Sequence, residues 1–96
     1  MKYHTIKNYD EFKFVMNNGK KIFKEYGIVF KLGKDQFCKK FPKYAKISGN
    51  LYGIMATKKL GNAVKRNFIK RKIRIVIKKE IFEDEVWIIL GKKLHI

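Results

Sequence analysis

Residues 51–74 read LYGIMATKKLGNAVKRNFIKRKIR. Residues 51–57 are largely apolar, with turn-forming residues ahead and lysines behind, which is how a short buried strand is punctuated. Gly61 interrupts the chain and Asn62 stands where a helix N-cap belongs. From residue 62 to about 82 there is neither Gly nor Pro, and Ile69, Ile73, Val76 and Ile77 recur at helical spacing. The pattern predicts a strand feeding a long helix with one apolar stripe. After Glu83 and Asp84, an acidic turn, residues 85–90 read by their composition as a buried strand.

Working outward, residues 8–18 predict a first helix, with Tyr9, Phe12, Val15 and Met16 on one face and Gly19 as its stop. A short strand is expected over 20–23. Residues 26–32 alternate, Tyr26, Ile28, Phe30 and Leu32 facing one way and Val29 and Lys31 the other. Residues 33–50 read as a basic loop holding the only proline. The resulting order, α-β-β-α-β with an extra short strand, is an α+β sandwich of helices on a small sheet, one domain over 1–96.

With 96 residues, 24 Lys and Arg against 8 Asp and Glu give a net charge of +16, while 46% hydrophobic content is ample for a core. Such a charge destabilises a compact state, and a polyanionic partner is what offsets it. The single cysteine, Cys38, excludes a disulfide framework and a cysteine-based zinc site. No apolar run approaches the roughly 20 residues of a membrane span. Residues 1–12 lack the apolar core of a secretory signal and carry Asp10 and Glu11, so the expected location is cytoplasmic.

All three arginines, Arg66, Arg71 and Arg74, lie on the long helix, among 21 lysines elsewhere and beside them. Guanidinium binds phosphate bidentately and stacks on bases, whereas an ammonium is a point charge. Residues 58–79 hold ten basic side chains and no acidic one. Asn67, Arg71, Arg74 and Lys78 fall within one arc, and the helix N-terminus near Lys58, Lys59 and Asn62 adds free N–H donors. This is a phosphate-binding face, although phosphate contacts position and do not read sequence. Phe12 and Phe30 are either core residues or the walls of a groove for unpaired bases. Phe68 and Ile75 lie off the apolar stripe, as a partner contact or as partly covered side chains. His4, placed in a mobile N-terminal segment, and His95 sit at opposite ends, Ser48 has no histidine nearby, and the carboxylates show no metal-ligand spacing. Any chemistry is expected to reside in another molecule.

The run Lys58-Lys59-Leu60-Gly61-Asn62-Ala63-Val64, followed by Arg66-Asn67-x-Ile69-Lys70-Arg71-x-Ile73-Arg74, resembles the signature of the bacterial ribonuclease P protein component. Asp10-Glu11-Phe12, Val15 and Gly19 are similar to that family's first helix and turn. The resemblance implies a two-layer α/β sandwich of the ribosomal protein S5 domain 2-like kind, with a left-handed β-α-β crossover against the right-handed norm. It also implies a non-catalytic protein subunit that binds ribonuclease P RNA and the 5′ leader of precursor tRNA, the RNA carrying out Mg2+-dependent hydrolysis. Neither a membrane nor a small-molecule substrate is implied. Carried over, Lys58, Lys59, Asn62, Lys65, Arg66, Asn67, Lys70, Arg71 and Arg74 bind the RNA subunit, and Phe12, Met16 and Phe30 hold the leader.

Three departures stand out. Phe68 replaces the second arginine of the usual Arg-Asn-Arg, Thr5 stands where a basic residue is common, and the family's C-terminal helix is expected to be missing. Its loss predicts a less covered sheet face around Val86, Ile88 and Leu90 or Trp87 and Ile89, and marginal stability alone. The competing readings are a small basic ribosomal protein and, from another class, a freestanding metal-dependent nuclease using a carboxylate such as Asp84.

Overall fold

The computed structural model describes residues 3–47, 49–79 and 84–91. Strand β1 (Tyr3–Thr5) leads to α1 (Tyr9–Asn18), then to β2 (Lys20–Lys24), β3 (Gly27–Gly33) and α2 (Lys34–Lys40). A 3₁₀ turn (Pro42–Tyr44) precedes β4 (Asn50–Met55), and a second one (Lys58–Leu60) precedes α3 (Ala63–Lys79), with β5 (Glu85–Gly91) last. The end of the long helix expected up to residue 82, together with Ser48, Glu83 and His95, falls outside the described residues.

Local chemistry explains the boundaries. The Asn8 side chain accepts the Asp10 N–H at 2.9 Å, and Asp10 and Glu11 occupy the first turn of α1, where the helix dipole favours negative charge. Gly19 ends that helix by donating to the Val15 carbonyl at 2.7 Å. A Cβ on Gly19 would lie 2.6 Å from the Lys31 carbonyl oxygen, so only glycine lets the chain pass this close to β3.

The five strands form one sheet in the order β1-β4-β5-β3-β2. β4 and β5 are parallel neighbours with α3 between them in the chain, the β-α-β unit that the family resemblance implies, while β3 pairs antiparallel with both β5 and β2. Strand alternation sorts the core into two sets. Val29, Tyr52, Trp87 and Ile89 pack with Ile69, Ile73 and Ile77 of α3. Leu32, Leu51, Val86 and Ile88 pack with Phe12 and Val15 of α1 and Phe37 of α2. Helices therefore cover both faces of the sheet, and the α+β class holds.

Four expectations are corrected. His4 is not in a mobile segment: it pairs with Leu51 in the parallel β1/β4 ladder, which Ile6 extends by donating to the Tyr52 carbonyl at 2.7 Å. Residues 33–50 are not a plain loop, because Asp35 in the first turn and Lys39 and Lys40 in the last favour a helix there. Only Phe37 of α2 is fully buried, so its apolar periodicity is too short to read. Rings of Phe14, Phe37, Phe41 and Tyr44, with centroids 5.0–6.4 Å apart, pin α2 and the turn to α1. Tyr26 does not share the face of Phe30 and Leu32; it sits in the hairpin turn, where alternation lapses, and joins Val29 on the α3 side. Finally, Val86, Trp87, Ile88 and Ile89 are at most 1% exposed, so the sheet is not bare at these positions. Each contributes about 1.5–3 kcal/mol through burial; only Leu90 remains half-buried.

Candidate nucleic-acid interface

Helix α3 is placed by its buried stripe. Ile69, Ile73 and Ile77 are 0–3% exposed against the sheet, which turns the remaining circumference outward. Asn67, Arg71, Arg74 and Lys78 are all exposed, as the helical-wheel argument requires. Lys70 is half-buried beside them. Arg66 differs, because at about 100° per residue it points nearly along the buried stripe. It is half-buried, and its Nε is enclosed with no hydrogen-bond partner among the described residues. Its stem is therefore part of the packing as well as of the charge.

The helix start is built by Asn62, whose Oδ1 accepts the Lys65 N–H at 3.0 Å. Asn62 thus acts first as an N-cap, and its side-chain oxygen is committed to the helix. Gly61 has φ +121°, a left-handed conformation open to glycine, and brings the 3₁₀ turn carrying Lys58 and Lys59 against the cap. Lys59 and Lys65 are exposed; the Lys58 side chain lies outside the described residues. Phe68 is half-buried, with the Lys72 ammonium 5.3 Å from its ring centroid, and Val64 and Ile75 are exposed on the same outward side.

Phe12, Met16 and Phe30 come together on the opposite sheet face. Phe12 is 9% exposed, and its ring lies against Gly53, where a Cβ would approach Cε1 to 2.3 Å. It is chiefly a core residue. Met16 and Phe30 are half-buried against the same cluster. The strand register adds a row that sequence reading missed: Met55, Leu90, Ile28 and Phe23 lie side by side across four strands on this face. Phe23 is 73% exposed, with the Lys21 ammonium 5.2 Å from its ring. An aromatic between lysines on a hairpin was the available signal, but which face it joins depends on the β2/β3 register.

Glu11 is 1% exposed and accepts the Tyr44 hydroxyl at 2.7 Å, with the Lys43 ammonium 3.3 Å away. Burial and the Glu11 hydrogen bond push the Tyr44 hydroxyl up to about 12. Burial also raises the Cys38 thiol, partly countered by Lys34. Asp84 adopts φ 54° at the entry to β5, and its carbonyl accepts the Lys34 N–H at 2.8 Å, a turn role. Among the described residues, no group of three or more His, Cys, Asp or Glu side chains could hold a metal ion, and no helix is long and apolar enough to cross a membrane.

A small α+β scaffold that displays a strongly cationic helix on one side and an exposed aromatic on the other has the features of an RNA-binding module. The Ribonuclease P family model matches residues 1–94, and the chain belongs to that family. It is 32% identical over 94 residues to the ribonuclease P protein component of Streptococcus agalactiae, covering 96% of this chain and 76% of that one. Against the same component from a Bacillus cereus strain it is 36% identical over 95 residues, with 96% and 74% covered. Among solved structures, the Staphylococcus aureus RNase P protein superposes with a TM-score of 0.70 at 28% identity, covering 93% of this chain and 74% of that one. The Thermotoga maritima RNase P protein shares the fold, with a TM-score of 0.69 at 19% identity over 94% of this chain and 74% of its own length.

Proposed function

We propose that this chain is the protein subunit of ribonuclease P, gripping the catalytic RNA through α3 and the single-stranded 5′ leader of precursor tRNA through the α1 face of the sheet. The observation that carries the proposal is the run of ten basic and no acidic side chains over residues 58–79, with Asn67, Arg71, Arg74 and Lys78 exposed along one arc. Like charges spaced i, i+4 weaken an isolated helix, and a phosphate ladder relieves them. On the other face, Phe23, Met16 and Phe30 supply apolar and aromatic surface beside lysines, which suits unpaired bases because every base has a stacking face.

Mg2+ enters this reading as the ion of the RNA subunit and its substrate. Among this chain's described residues, no cluster of three or more His, Cys, Asp or Glu side chains could cage the ion. The protein's own part is to neutralise, position and hold; the RNA is assigned the bond-breaking step. Binding assays test this division. Ribonuclease P RNA should bind in the nanomolar range with steep salt dependence, and the assembled complex should prefer precursor over mature tRNA. Equal affinity for unrelated RNA of the same length would contradict it.

A further inference from the structure

Helix α3 carries a second apolar row that its packing does not use. Val64, Phe68 and Ile75 are spaced i, i+4, i+11, which at about 100° per residue places them within about 40° of one another. That arc lies nearly opposite the buried stripe of Ile69, Ile73 and Ile77. Val64 is 77% and Ile75 48% exposed, and Phe68, between them along the axis, is half-buried. Local preference does not account for the row, since β-branched and aromatic residues are weaker helix formers than the lysines beside them. Single exposed apolar side chains are ordinary, but three aligned on one helix face mark a contact surface.

The borders of the row point to its partner. Arg71 and Lys78 run along one side and Lys72 and Lys79 along the other, all four exposed. Among the described residues, none of these four cations has an ion-pair partner. The Lys72 ammonium lies over the Phe68 ring, 5.3 Å from its centroid, so a ring and a cation are offered together. An apolar strip between two cationic rails fits an unpaired nucleotide, whose base presents a stacking face and whose backbone flanks it with phosphates. A second copy of this chain is a poor occupant, since each copy carries +16.

We infer that Phe68 stacks on an unpaired base of the RNA subunit, with Val64 and Ile75 closing the contact along the helix and Arg71 and Lys78 on the adjoining phosphates. Phe68 stands where the family motif usually carries arginine, so this chain exchanges a phosphate contact for a base contact. The RNA subunit is then recognised by an exposed base at this point as well as by its charge. The inference rests on the reading of α3 as the RNA grip and adds to it a contact that salt does not screen.

Filter binding of ribonuclease P RNA to the intact protein across a potassium chloride series separates ring from charge. Phe68→Leu keeps an apolar, helix-forming side chain and loses the ring. It should lower affinity by about 5- to 100-fold and leave the slope of log K against log salt unchanged. Phe68→Arg should recover part of that affinity with a slope steeper by about 0.7–0.9. Phe68→Trp should bind like the parent protein, and RNA should quench its indole fluorescence over the constant signal of Trp87, which is 1% exposed. Parental affinity in Phe68→Leu, a loss that comes with a shallower slope, or fluorescence of Phe68→Trp that RNA leaves unchanged overturns the inference and leaves α3 as the RNA grip. Quenching of Phe68→Trp by an acidic amphipathic peptide, with RNA binding of Phe68→Leu intact, assigns the row to a protein partner and also overturns it. Failure of the parent protein to bind the RNA sinks the reading of α3 and this inference with it.

Discussion

Removing Arg71 and Arg74 separates binding from stability. Both are exposed on α3 and neither touches the buried stripe, so Arg71→Ala/Arg74→Ala leaves the packing of Ile69, Ile73 and Ile77 intact. It also relieves the repulsion of Arg74 with Lys70 and Lys78, about 0.2–0.5 kcal/mol per pair, so the free protein keeps or slightly raises its Tm. The RNA complex behaves differently. Each lost phosphate contact reduces the slope of log K against log salt by about 0.7–0.9, so the pair should lower it by about 1.4–1.8. Hydrogen bonds to charged groups contribute about 1.5–3 kcal/mol each, which for two arginines is roughly two to four decades of affinity. Arg66→Ala should instead lower both affinity and Tm, because its half-buried stem packs beside the sheet. Filter binding to ribonuclease P RNA across a potassium chloride series, with thermal melts of the free variants, measures both. An unchanged slope and affinity in the double variant would refute the assignment of α3.

Other outcomes follow from the same structure. Phe23→Ala should spare assembly with the RNA subunit but cut the preference for precursor over mature tRNA by about 1–3 kcal/mol if one base stacks there, read from competitive binding. Gly53→Ala places a Cβ 2.3 Å from the Phe12 ring and 2.9 Å from the Ile6 carbonyl oxygen, and should cost about 1–3 kcal/mol in urea unfolding. Tyr44 is held protonated in the folded state, with its hydroxyl raised from 10.0 to about 12. The unfolded chain therefore ionises first: the Tyr44 contribution is fully present below pH 10.0 and is lost as pH rises toward about 12. Tyr44→Phe should remove that part of the alkaline destabilisation in melts across this range, and an identical pH profile would contradict it.

The parts legible in the sequence are those written in long periodic runs. α3 carries its apolar stripe from Ile69 to Ile77, about two and a half turns, with Asn62 and Gly61 marking its start, and β5 holds an unbroken apolar run; both were readable, whereas their β-α-β relation came only from the family resemblance. β1 is three residues long and exists because β4 offers it a parallel edge, so nothing local announces it. α2 buries a single ring and is fixed by aromatic contacts with α1, which are tertiary. At the candidate interface, charge and arc position of Asn67, Arg71 and Arg74 followed from spacing alone. The inward lean of Arg66, the commitment of Asn62 to capping and the core role of Phe12 did not, since each depends on what the side chain meets. The face that Phe23 joins depends on strand register.

The most direct measurement is cleavage of precursor tRNA at low Mg2+ by ribonuclease P RNA, with and without this protein. The RNA alone should be slow and the protein alone inert, whereas the two together should release the 5′ leader efficiently, with the gain lost in Arg71→Ala/Arg74→Ala. Leader removal by the protein without RNA, or no effect of the protein on the RNA-catalysed rate, would contradict it.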